Sequence, residues 1–202
     1  MTNFNEKSKA AYNRKANGYD KSREGLFTLN YHRLLLSEMT WRENQSILDV
    51  ACGTGSFLAA MNRQRAIRGF GIDISDQMIK NAIAKNPGME FRVSGCETIP
   101  FHNETIDIVT VCAAYHHFPD SNAFAGEAKR VLKPNGMLYI ADMYLPSLLR
   151  LIINPFIPLL LKDGDVRFYA PKEIVGSFKR LGFEETDVKI SSSIQLIAMR
   201  KS

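Results

Sequence analysis

The chain has 202 residues, 45% of them hydrophobic, and a formal net charge of +5, which suits one well-buried core and is too short for two ordinary domains. The surplus counts as +4 in residues 1–42, −1 in 43–161 and +2 in 162–202, spread out and without a Lys/Arg cluster interleaved with aromatics, so no nucleic-acid partner is expected. The polar start MTNFNEKSKAAYNRK lacks the apolar stretch of a signal peptide, no run reaches the roughly 20 apolar residues of a spanning helix, and Cys52, Cys96 and Cys112 form no C-x-x-C pair; the expectation is a cytoplasmic protein with reduced thiols.

Residues 1–42 read as a helical preamble packed on a sheet. From residue 46, short β-rich runs alternate with longer amphipathic ones, the pattern of a parallel sheet flanked by helices. Strands are predicted at 46–51, 67–73, 89–95, 106–113 and 136–142. Between them, a helix over 75–86 opens on a Ser75 cap and stops before Pro87-Gly88, and one over 121–136 ends at Pro134 and Gly136. An apolar insertion at 146–165 precedes a helix over 171–183 and two terminal strands, in EETDVKIS and SIQLIAMRK. The whole reads as one globular unit.

The chemistry starts at ILDVACGTGSF, residues 47–57. Small residues at Ala51, Gly53 and Gly55 between a strand and a helix leave room for a ligand against the main chain, and the helix N-terminus aims free N–H groups at it. Asp73 ends the next strand, eighteen positions past Gly55, where doubly wound folds place a carboxylate that accepts hydrogen bonds from ribose hydroxyls. The ligand is therefore expected to carry a nucleoside. Leu58 stands where G-x-G-x-x-G needs its third glycine, and Gly55-Ser56-Phe57 is not G-K-[ST], so neither pyrophosphate nor triphosphate is indicated. Asp49, before the glycines, would repel a pyrophosphate and favours a cationic ligand. A nucleotide-binding oxidoreductase on a similar sheet stays as an alternative, against which Leu58 counts.

ILDVACGTG, GIDIS, ETIPF, IDIVTVCAAYHHF and RVLKPNGMLYIAD, in this order over residues 46–142, together resemble the class I S-adenosylmethionine-dependent methyltransferases, small-molecule branch, of the ubiquinone/menaquinone-biosynthesis type. The resemblance implies a Rossmann-like doubly wound, mostly parallel α/β sheet of order 3-2-1-4-5-7-6 with the last strand antiparallel. It implies S-adenosylmethionine as cofactor, with S-adenosylhomocysteine as product. The Ala51–Gly55 loop would lie under the methionyl and ribose parts, Asp73 would hold the ribose hydroxyls, Ile74 would pack on adenine, and Met78 would line the same pocket. Where the family reads Asp-Ala-Glu, this chain has Gly95-Cys96-Glu97; the main-chain contact from Cys96 survives, and the carboxylate contact to adenine falls to Glu97 reaching around. Tyr19, in the N-terminal lid, would close over the methionine end.

Cys112 would lie beside the cofactor's amino end, with Tyr115, His116 and His117 near the transferring methyl and His116 as general base. His32 and His102 stand at neither helical nor hairpin spacing to the His116-His117 pair, so no metal is expected. A nucleic-acid methyltransferase, the other alternative, would show Asn/Asp-Pro-Pro-aromatic where this chain has CAAYHHF. The expected reaction is methyl transfer to a small, apolar or aromatic molecule, by a monomer or homodimer. In SLLRLIINPFIPLLL, residues 147–161, ten of the residues from Leu148 to Leu161 are Leu, Ile or Phe; Pro155 and Pro158 exclude a bilayer span. The segment is expected to be a lid over an apolar cavity shared with Tyr19 and Tyr115, with core element, dimer contact and peripheral membrane contact as its other readings.

Overall fold

The structure is a computed structural model that describes residues 3–157 and 163–202. Seven strands form one sheet: β1 Ser46–Val50, β2 Arg68–Asp73, β3 Glu90–Val93, β4 Ile106–Cys112, β5 Leu132–Met143, β6 Phe183–Ser191 and β7 Ile194–Lys201, in the order β3-β2-β1-β4-β5-β7-β6. β1 to β5 run parallel, and β7 is antiparallel to both its neighbours. This is the doubly wound arrangement that the family resemblance implies.

Alternate side chains of the central strands enter opposite layers, which is why these strands are apolar throughout. Leu48, Val50, Val109, Val111, Leu138 and Ile140 join one core with Phe124 and Ala128 of α5 (Ser121–Val131) and Phe178 of α7 (Pro171–Lys179). Ile47, Ile108 and Tyr139 join the other, with Leu35 of α2 (Arg23–Glu38), Phe57 and Met61 of α3 (Ser56–Gln64) and Ile79 of α4 (Asp76–Lys85). The Ser75 hydroxyl caps α4 by accepting from Met78 N–H at 3.1 Å, as its position predicts.

One boundary differs. α5 stops at Val131 and β5 begins at Leu132, so the stretch Lys133-Pro134-Asn135-Gly136 belongs to the strand rather than to a helix end. Pro134 disfavours the helical region for Lys133, while Leu132 is fully buried and pairs with Ile106 before a register shift absorbs the turn-forming residues.

The apolar insertion also departs from expectation. Its described part, α6 (Ser147–Ile153) and a single turn at Asn154–Phe156, points its polar side chains inward. Arg150 donates to Leu145 O at 3.2 Å, and Asn154 exchanges two hydrogen bonds with the Phe168 main chain, both 3.0 Å. Leu148 and Leu151 are 77% and 73% exposed. Residues 158–161 of the expected lid lie outside the described residues. Leu148→Glu with Leu151→Glu is therefore expected to leave stability within about 0.5 kcal/mol of wild type, as for other surface changes, read as an unchanged urea midpoint. No helix among the described residues is long and apolar enough to cross a membrane.

Candidate functional site

The carboxyl ends of β1, β2 and β4 open on a cavity of ≈ 100 Å³, the place where open α/β sheets bind ligands. Ala51, Gly53 and Gly55 in the β1–α3 loop all have positive φ, at 59°, 53° and 73°. A Cβ on Gly53 would meet no protein atom within 4 Å, so the main chain there is bare toward the cavity. Gly55 has another reason to be glycine than ligand space. A Cβ on it would come to 2.8 Å from Asn86 Nδ2 and 2.9 Å from the Phe91 ring, and Gly55 lies outside the lining. Ala51 holds a left-handed conformation that costs a side chain about 1–2 kcal/mol. Ala51→Gly is expected to raise stability by about 1 kcal/mol, after the extra chain entropy of glycine is deducted, measured as a higher urea midpoint at constant m-value.

Asp73 ties this loop to β2. Its Oδ2 accepts from Gly53 N–H at 2.9 Å and its Oδ1 from Ser75 N–H at 2.8 Å. Burial pushes its pKa up to about 6 although both N–H groups favour the charged form. Ser75 in turn donates to Asn13 Oδ1 at 2.6 Å, which latches α1 (Asn3–Lys15) across the cavity. The turn at Tyr19–Lys21 is fixed similarly: Asp20 accepts from Thr54 Oγ1 at 2.6 Å and pairs with Lys85 at 2.5 Å. The N-terminal segment, and not residues 147–157, is thus the cavity's roof.

Of the residues singled out from sequence, Tyr19, Ala51, Gly53, Asp73 and Ile74 line this cavity, as do Met78, Cys96, Cys112 and His117. Asp49 does not. It is buried within β1, accepts from Thr110 Oγ1 at 2.7 Å, and has its pKa pushed by burial up to about 7; after burial, its charge is a further cause that raises the pKa of the cavity-lining Cys112 thiol. Glu97 lies in an adjoining groove with Gly95 that shares Asn5, Ile74 and Ser94 with the cavity. A Cβ on Gly95 would lie 2.7 Å from Glu97 Oε2, so the carboxylate occupies room that glycine leaves. Tyr115 is fully buried and packs its ring against Phe118, Phe124 and Tyr169. It belongs to the core, and neither it nor residues 147–157 line this cavity, so of the described residues expected around an acceptor pocket with Tyr115 and the apolar segment only Tyr19 is found here.

His116 and His117 sit on a turn after β4 with different surroundings. His116 does not line the cavity; its Nδ1–H donates to Asp142 Oδ1, at the end of β5, over 2.6 Å. Burial alone would lower the His116 pKa, but the Asp142 carboxylate outweighs it and the net direction is upward. His117 is pushed well below the ordinary imidazole value by burial and by the neighbouring His116, and its Nε2 lies 3.0 Å from the Tyr12 hydroxyl. Asp165 Oδ1 approaches both, 3.6 Å from His116 Nε2 and 3.9 Å from His117 Nδ1. Tyr12, Asp142 and Asp165 were not among the sequence candidates. Asp142 carries a signal of the same kind as Asp49, an acid closing an otherwise apolar strand; Asp165 carries none.

Residues 48–140 match the methyltransferase-domain family. The chain is 32% identical over 139 residues to the ubiquinone/menaquinone biosynthesis C-methyltransferase of Rickettsia typhi, covering 62% of this chain and 56% of that protein. It is 31% identical over 122 residues to the demethylmenaquinone methyltransferase of Chlorobaculum parvum, covering 58% and 51%. The chain thus spans about half the length of these curated relatives. Among solved structures, a SAM-dependent methyltransferase from Aquifex aeolicus shares the fold at a TM-score of 0.73 and 20% identity, over 94% of this chain and 98% of that one. The motif loop, the β2 carboxylate and the strand order thus stand in one place, and residues 48–140, which hold the loop and the carboxylate, match the methyltransferase-domain family.

Proposed function

We propose that this chain transfers the methyl group of S-adenosylmethionine to a small, apolar or aromatic molecule, with His116 taking the proton that the acceptor gives up. The observation that carries the reading is the placement of two buried acids on one edge of the sheet. Asp73 bridges the bare Gly53 main chain at the end of β2, and Asp142 holds His116 at the end of β5. The residues present fit the cofactor: each Asp73 oxygen keeps a lone pair for a ribose hydroxyl beyond the N–H it already accepts, and Gly53 leaves its main chain open.

In this reading Ile74 would pack on adenine and Met78 would line the same pocket, with Cys96 N–H and Glu97 holding its ring. Tyr19 covers the methionine end. Cys112 lies beside the amino group, whose charge the buried Asp49 favours. The bound sulfonium supplies an already activated methyl, so the protein's work is to align the acceptor at roughly 3–3.5 Å and exclude water. His116, whose ring lies 4.2 Å from that of the cavity-lining His117, would act through Nε2: with Nδ1–H committed to Asp142, Nε2 is the basic nitrogen, and the carboxylate stabilises the imidazolium that forms.

The relatives named for ubiquinone/menaquinone and demethylmenaquinone methylation support an aromatic, lipid-soluble acceptor. The three unpaired thiols are consistent with a cytoplasmic setting. Incubation with S-adenosylmethionine carrying an isotopic methyl, against hydroquinones, phenols, amines and single-stranded oligonucleotides, tests the reading. Label is expected in an aromatic small molecule; label in the oligonucleotides alone would overturn it.

A further inference from the structure

The histidine turn has a second property that methyl transfer does not require. His116, His117 and Asp165 each bring a ligand atom within 4.8 Å of the others. The separations, 3.6 Å from His116 Nε2 and 3.9 Å from His117 Nδ1 to Asp165 Oδ1, lie a few tenths of an ångström above the edge of about 3.3–3.4 Å that a tetrahedron with bonds of about 2.0–2.1 Å requires.

Each imidazole is also held from behind. Asp142 accepts from His116 Nδ1–H at 2.6 Å, and the Tyr12 hydroxyl stands 3.0 Å from His117 Nε2. In the tautomer in which His117 Nε2–H donates to Tyr12, the two nitrogens left with lone pairs are those nearest Asp165. A carboxylate or oxygen partner on the far nitrogen of a histidine is the arrangement that orients metal-binding imidazoles. The third ligand is positioned too: Val166 N–H donates to His116 O at 2.9 Å, and Lys15 pairs with Asp163 at 2.6 Å, which staples the loop to both the turn and α1.

Charge points the same way. Asp142 is fully buried, with an Oδ2 that has no hydrogen-bond partner among the described residues, and the Asp165 side chain is 12% exposed. Two carboxylates beside two neutral imidazoles balance one divalent ion in surroundings that include the Phe168 ring, 5.6 Å from that of His116. Two nitrogens and one oxygen suit zinc and its first-row neighbours, and not magnesium or calcium, which take oxygen shells.

We propose that His116, His117 and Asp165 form a binding site for one divalent transition ion of the zinc class, with Asp142 and Tyr12 as its orienting partners and a fourth position left open. The inference goes beyond the methyltransferase reading and does not rest on it. An ion on His116 Nε2 takes the lone pair that would accept a proton, so the ion-bound form is one in which His116 is not the base.

The test is calorimetric titration of the full chain, stripped with chelator, with Zn²⁺, and separately with Co²⁺ followed by its visible absorption. One ion per chain is expected, with no heat from Mg²⁺. Asp165→Asn is expected to weaken Zn²⁺ at least tenfold, and Tyr12→Phe, which removes only an orienting partner, by about tenfold. Replacing Cys52, Cys96 and Cys112 by serine is expected to leave the Zn²⁺ isotherm unchanged. Absence of a saturable site, or Zn²⁺ binding unchanged in Asp165→Asn and Tyr12→Phe, or binding lost with the cysteines, would overturn the site. S-adenosylhomocysteine titrated into the same samples keeps the two readings separable: its failure to bind beside a normal Zn²⁺ isotherm would count against the cofactor reading and leave the ion site standing.

Discussion

Asp73→Ala is expected to weaken S-adenosylhomocysteine binding by about 2–3 kcal/mol, about 30- to 150-fold in Kd, because two charge-assisted hydrogen bonds to the ribose go together. The carboxylate also organises the loop, since it accepts from Gly53 and Ser75 N–H, so Asp73→Asn is the paired variant: it keeps the side-chain size and one of the two acceptors while removing the charge. Calorimetry on both reads the loss; a Kd unchanged in both removes Asp73 from the site.

A pH series sharpens the same prediction. Burial sets the Asp73 pKa at about 6 and the Asp49 pKa at about 7, above an unfolded value of about 3.9. Between these limits the folded state holds protons that the unfolded state has released, so this part of the stability is full below pH about 4 and is lost as pH rises through 6 to 7. Affinity runs the other way, because the ribose hydroxyls donate best to the ionised carboxylate, and S-adenosylhomocysteine is expected to bind more weakly as pH falls through 6. The ligand-free protein should thus lose stability over the range in which it gains affinity. Asp73→Asn should flatten the affinity profile; an affinity in wild type that is constant from pH 5 to 8 contradicts the role.

The second large effect is at His116. His116→Asn is expected to lower kcat by about 10²-fold, the usual scale for loss of a general base, with S-adenosylhomocysteine affinity within twofold of wild type. Asparagine is the informative choice because its amide nitrogen can stand where Nδ1 stood and keep the bond to Asp142, while nothing replaces Nε2. His116→Ala carries a further cost, since it strands the fully buried Asp142 carboxylate and should destabilise the fold by about 3–5 kcal/mol. Single-turnover kinetics with saturating cofactor separates the two. Wild-type turnover in His116→Asn would show that His116 only packs.

What could be read from the sequence was what is local. The apolar runs of β1, β2 and β4, the Ser75 cap and the acid at the end of β2 are set by residues within a few positions of one another, and they stand where their periodicity placed them. The start of β5 could not be read, because Lys-Pro-Asn-Gly has the composition of a turn and only its pairing with β4 draws it into the sheet. The polar cluster was invisible for a related reason. His116 meets Asp142 across 26 positions and His117 meets Tyr12 across 105, and no spacing rule spans either. Residues 147–157 differ from the expected lid for the opposite reason. An apolar segment implies cover, and here the hydrogen bonds of Arg150 and Asn154 decide the orientation and turn the leucines outward.

The most direct test of the central claim, that the cavity beneath α1 takes the adenosyl cofactor, is calorimetric titration of the purified chain with S-adenosylhomocysteine and, in parallel, with NAD. One S-adenosylhomocysteine per chain, displaced by S-adenosylmethionine and lost in Asp73→Ala, with no heat from NAD, is the predicted result. A folded protein that binds NAD and leaves S-adenosylhomocysteine without heat would contradict it.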